Sequence, residues 1–113
     1  MATVGDELSS HEENAVALRA AVIASGDSAA ALRAAALERD AGGPGLPEPY
    51  DALVRQVSAD SVRVTDEQVA AVRAALGSDR AVFELILASA VGAGLRRWDA
   101  AVRVIRGQDD APA

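Results

Sequence analysis

The chain has 113 residues, 50% hydrophobic, 25% charged and 3% aromatic, with no cysteine and a single histidine, His11. That composition excludes disulfides, thiolate metal sites, Cys-x-x-Cys redox chemistry, a cysteine nucleophile and a His-rich metal cluster, so no metal and no cofactor is expected. Eleven arginines and no lysine against 17 acidic residues leave a net charge of −6, without the basic footprint that nucleic-acid binding requires.

Residues 1–9 are small, polar and acidic and are expected to form a disordered end. The first 18 positions hold neither Lys nor Arg, so there is no basic n-region of a signal peptide and a cytoplasmic location is expected. Ser10 with Glu13 reads as a capping box opening a helix. Val16, Leu18, Val22 and Ile23 follow at roughly helical spacing until Ser25-Gly26 stops it. A second helix is expected from Asp27 as N-cap, through Leu32 and Leu37, to about Ala41. Its apolar surface is mostly alanine, of which the chain has 27, as expected of a GC-rich bacterial genome. Such a helix has high propensity and little hydrophobic drive of its own. Gly42-Gly43-Pro44-Gly45-Leu46-Pro47 then predicts a loop over 42–49.

A third helix is expected to open near Pro47 to Pro49, with Tyr50, Leu53, Val54 and Val57 forming one stripe at i, i+3, i+4, i+7. Ser58 to Val64 breaks that period. Thr65 with Gln68 makes a second capping box, followed by Val69, Val72 and Leu76, with Gly77 as the C′ residue. Ser78 or Asp79 recaps the chain, and one long helix can run to about Arg106. Its broad apolar face is marked by Val82, Phe83, Ile86, Leu87, Val91, Leu95, Trp98, Val102 and Ile105. The longest nearly apolar run, Leu85 to Leu95, is interrupted by Ser89 and is too short to cross a bilayer. Residues 107–113 read as a flexible tail. The expectation is an all-α fold of about five helices over 10–106, with a core built largely of aliphatic side chains.

From 50 to 106 the chain resembles the carboxymuconolactone decarboxylase-like family, which includes the alkyl hydroperoxidase D-like proteins. The resemblance rests on Val64-Thr65-Asp66-Glu67-Gln68-Val69-Ala70-Ala71-Val72-Arg73-Ala74-Ala75-Leu76, then Val82-Phe83-Glu84-Leu85-Ile86-Leu87-Ala88-Ser89-Ala90-Val91-Gly92-Ala93-Gly94-Leu95-Arg96-Arg97. A capped helix, a tight turn and a Glu opening a long small-residue helix match that family's helical hairpin. Catalytic hydroperoxidase D-like members carry a Cys-x-x-Cys pair with a nearby His and Glu. With Glu84 aligned to the family's glutamate, the cysteine positions fall near Arg96 and Asp99 and the histidine near Arg103. The resemblance therefore implies a hairpin fold without thiol peroxidase activity.

Glu84 has two readings. It is a general base whose pKa is raised by an apolar wall of Phe83, Leu87 and Trp98, or it is a first-turn carboxylate favoured by the helix dipole and paired with Arg80. Arg96, Arg97 and Arg103 either clamp a carboxylate substrate or form surface ion pairs, as Asp99 with Arg103 at i, i+4 suggests. Gly92-x-Gly94 lacks the strand and the Lys-Ser/Thr of a phosphate loop; a close helix approach, within the subunit or across an interface, explains it better. Trp98 reads as a core or interface anchor, Tyr50 as packing at a helix start, and His11 as an exposed residue beside Glu12 and Glu13.

Three functions follow as expectations. The first is a non-catalytic homo-oligomeric assembly or small-ligand-binding module, with Gly92, Gly94 and Trp98 at the interface. The second is a cofactor-free acid–base enzyme, a lactone or oxo-acid decarboxylase or isomerase, using Glu84 with Arg96 or Arg103 on a small carboxylate. The third is a small helical partner of a larger protein.

Overall fold

The computed structural model describes residues 3–107, and among them five α-helices and no strand. They are α1 (Val4–Ala24), α2 (Ala30–Arg39), α3 (Tyr50–Asp60), α4 (Asp66–Leu76) and α5 (Asp79–Ile105), with a 3-10 turn over Ser61–Arg63. The all-α expectation holds. No helix of the described residues is long and apolar enough to cross a membrane.

α5 is the axis on which the rest assembles. α2 lies along it through small residues, with Ala36 and Leu37 facing Ala88 and Gly92. A Cβ on Gly92 would overlap the Leu37 carbonyl, and this is why the helix tolerates a glycine at its middle. α3 contributes Leu53, Val54 and Val57, and α4 contributes Val72, to one aliphatic cluster with Leu46, Val82 and Leu85. Tyr50 packs against the rim of that cluster. Ser89 is fully buried in the α3–α5 contact, where its hydroxyl donates to the Val54 carbonyl at 3.0 Å.

The second half follows its local signals closely. Thr65 and Gln68 form the reciprocal capping box of α4, Gly77 closes it with φ at 85°, and the Ser78 hydroxyl accepts from the Ala81 amide to open α5. The loop over 42–49 is braced by Asp51, whose carboxylate accepts from Arg39 Nε at 2.9 Å and from the Leu46 amide at 3.0 Å. The Arg39 guanidinium, with the Leu46 amide and Arg55 adding to it, lowers the Asp51 pKa against the effect of burial.

The amino-terminal half departs from expectation. α1 begins at Val4, not at Ser10, with Thr3 and Asp6 forming the capping box. Residues 4–9, expected to be disordered, are its first turns, and Leu8 is buried. Both threonine–aspartate and serine–glutamate pairs fit an N-terminal signature, and the longer run of helix formers selects the earlier one. α2 opens at Ala30 with Ala29 as N-cap and no side-chain cap of its own, so Asp27 does not cap it. The expected tail of 107–113 lies outside the described residues beyond Gly107.

Candidate functional site

Glu84 sits in the second turn of α5 and is buried. Its carboxylate accepts from the Asp27 amide at 2.8 Å, the Ser28 amide at 2.8 Å and the Ser28 hydroxyl at 2.7 Å. Arg33 Nη1 lies 3.8 Å away and Arg80 Nε 3.7 Å away. The group thus pins the link between α1 and α2 just ahead of the first turn of α2, where the helix dipole also favours an anion. Arg33 is only 3% exposed. It donates Nε to the Val22 and Ile23 carbonyls at 3.1 and 3.2 Å, and Nη2 to Ile23 at 2.6 Å, capping the end of α1. Its Nη1 donates to the Ser28 carbonyl and, at 3.1 Å, to the Ser28 hydroxyl. One ion pair therefore fastens α1, α2 and α5 together. Gly26 makes room for it: with φ at 152°, a Cβ there would stand 2.6 Å from Glu84 Oε1.

This environment decides between the two readings of Glu84. The Asp27 and Ser28 amides, then the Ser28 hydroxyl and the nearby Arg33, outweigh burial and hold its pKa down at about 2. A base working near neutral pH needs the opposite shift. Of the expected apolar wall, Phe83 and Leu87 are largely exposed at the mouths of recesses that Glu84 also lines, and Trp98 lies about 21 Å further along the helix axis. Arg80 does face Glu84, as the structural reading expects.

Arg96 and Arg103 lie about 18 Å or more along α5 from Glu84, so the three residues do not converge on one site. Arg96 is paired with Asp40, Arg97 donates to the Ser58 carbonyl at the end of α3, at 3.1 Å, and Asp99 accepts from Arg19 of α1 at 3.1 Å. Arg19, Arg96, Asp99 and Arg103 line a recess between α1, α2 and α5 with a volume of about 330 Å³, floored by Leu37 and Gly92. Arg19 Nε is buried there without a hydrogen-bond partner, a state that costs about 1–3 kcal/mol in a folded protein. Neither Arg19 nor its pairing with α5 is legible from sequence, because the two positions are 80 residues apart.

The three expected interface residues separate. Gly92 is buried against α2 of the same chain, so its close approach is internal and it is removed from any interface. Gly94 is exposed, with nothing within 4 Å of the point a Cβ would occupy. Trp98 is half-buried, edge-on to His11 of α1 with ring centroids 5.8 Å apart. Trp98, Leu95, Leu18 and Ala15 line a shallow apolar recess of about 310 Å³. A second recess of about 250 Å³ lies on the same α1–α5 seam, lined by Ala21, Val22, Ser25 and Leu87 together with Arg33 and Glu84.

No family model matches this chain, and neither a curated protein nor a solved structure is significantly similar to it.

Proposed function

We propose that the chain is a non-catalytic, non-redox helical module, related to the carboxymuconolactone decarboxylase-like hairpin proteins, that assembles with copies of itself along the α1–α5 seam. The observation that carries this is the apolar surface left on that seam: Phe83 is 63% exposed, Leu18 45% and Leu87 43%. Phe83 is the only phenylalanine in an aromatic-poor chain, and a lone large aromatic placed in water forfeits the core energy it can supply. The α4–α5 hairpin, with its capped entry, glycine turn and recapped long helix, supports the family relation. The engagement of Glu84 by five groups supports a role without acid–base chemistry.

Light scattering across a concentration series tests this, with Phe83→Glu and Trp98→Ala beside the wild type. The wild type is expected to show a defined multiple of the chain mass, and Phe83→Glu to fall to the monomer with unchanged helicity. A wild type that stays monomeric at every concentration removes the proposal.

A further inference from the structure

We propose that the assembly is a two-fold dimer in which α5 packs antiparallel on the α5 of a second copy, about an axis passing between Ala90 and Val91. The proposal rests on the self-assembly inferred above and specifies its register. At about 3.6 residues per turn, Phe83, Leu87, Ala90, Gly94, Trp98 and Ala101 fall within one sector of about 100° on α5. Trp98 is half-buried and the others are exposed. Val91 and Ile105 complete that sector between 83 and 105. No charged residue falls in it, so a second copy covers it without burying an ion.

The stripe is complementary to itself when reversed. Its two large exposed side chains, Phe83 and Leu87, stand four positions apart, and so do its two low points, at Gly94 and Trp98. Nothing stands within 4 Å of the place a Cβ on Gly94 would take. Trp98 lines the open recess of about 310 Å³ that it shares with Leu18 and Leu95. The axis sets Leu87 over the partner's Gly94 and Phe83 into the recess beside the partner's Trp98, and the same two contacts repeat in the other direction. A parallel stagger of eleven positions also brings these side chains over the low points, but it leaves a free face at each end and grows without limit. The antiparallel form closes at two and opposes the helix dipoles. The contact face is two helices wide, α1 with α5, and measures about 33 Å by 20 Å, approaching the roughly 800 Å² that each partner gives to a standard interface. The rims match in charge. Arg80, largely exposed while it bridges Asp27 and Glu84, comes level with the partner's Ala101. That level lies between Trp98 and Arg106, where α1 sets His11 and the acidic Glu12 beside α5; such rim charges fix register more than affinity.

The chain has no cysteine, so single introduced cysteines report the register under mild oxidation of the full chain. Ala90→Cys lies beside its own copy across the axis, within disulfide reach, and is expected to form a covalent dimer. Ala101→Cys lies about 30 Å from its own copy along the helix and is expected to form none. Both positions are exposed, and both variants are expected to keep wild-type helicity. Trp98 is the only tryptophan and is covered in the dimer, so its emission is expected to shift to the blue with the same midpoint as the rise to twice the chain mass. Phe83→Ala is expected to weaken the dimer about a hundredfold or more, since each dimer loses two aromatic anchors. A wild type that stays monomeric at every concentration overturns the self-assembly and this register with it. A defined oligomer in which Ala90→Cys does not cross-link overturns the register alone. So does cross-linking of Ala90→Cys to Ala101→Cys in a mixture, the mark of the parallel stagger, or equal self-cross-linking at both positions, the mark of a parallel pair in register.

Discussion

At Glu84, two amides, a hydroxyl and two guanidinium groups meet one carboxylate. Replacing it with glutamine turns one acceptor into a donor facing the Asp27 and Ser28 donors, and leaves Arg33 buried without its counter-ion. Hydrogen bonds to a charged group contribute about 1.5–3 kcal/mol, and Glu84→Gln is expected to cost about 2–3 kcal/mol at pH 7 in urea unfolding. The pH dependence has a definite sign. The folded pKa is about 2 against an ordinary value of 4.5. The stabilisation is therefore complete above about 4.5 and is lost as pH falls from there towards 2. Asp51, lowered chiefly by Arg39, adds a loss of the same sign as pH falls below its ordinary value of 3.8. Acid titration of stability is expected to be shallower in Glu84→Gln, with the two proteins converging near pH 2. Parallel curves would show that Glu84 is not held low.

Among the elements, the two glycines of α5 make the sharpest contrast, because they share a helix and differ only in what faces them. Gly92→Ala drives a methyl group into the Leu37 carbonyl, backbone against backbone, with no rotamer that relieves it. Overpacking of this kind costs about 1–3 kcal/mol or more, and the α2–α5 contact is expected to loosen in proportion. Gly94→Ala meets open space and is expected to stabilise the chain by about 1 kcal/mol through helix propensity alone. Thermal unfolding of the pair reads both signs; a stable Gly92→Ala would mean that α2 does not lie where its alanines put it. The same contrast marks what sequence can reveal. Gly92-x-Gly94 announces a close helix approach, but the pattern alone does not say which glycine makes it. Thr65 with Gln68, Gly77 and Ser78 act through neighbours three or four positions away, and all four are legible. Arg33 with Glu84 and Arg19 with Asp99 close over 51 and 80 positions, beyond any local signal. Phe83 and Leu87 read as core because periodicity records that a face is apolar, not whether the chain has enough other elements to cover it. Here α1 covers only part of it.

For the molecule as a whole, two forces set the assembly in opposition. The α1–α5 seam offers apolar area, but each copy brings a net charge of −6, and joining copies brings those charges together. The Debye length falls from about 10 Å at 0.1 M ionic strength to about 3 Å at 1 M, so salt removes the repulsion while leaving hydrophobic burial in place. Association is therefore expected to tighten as sodium chloride rises from about 0.1 to about 1 M, read as a shift to higher mass at fixed protein concentration in sedimentation equilibrium. Phe83→Glu should abolish the association at both ends of the range, because it adds charge and removes the apolar contact together. An interface made of arginine–carboxylate pairs predicts the reverse, with mass falling as salt screens the pairs. The exposed ion pairs of the described surface, such as Arg73 with Asp79 and Arg63 with Asp60, are already satisfied within one chain, and Phe83 carries no charge to pair. The direction of the salt effect thus separates a contact made by the uncovered stripe of α5 from one made by the charged faces around it.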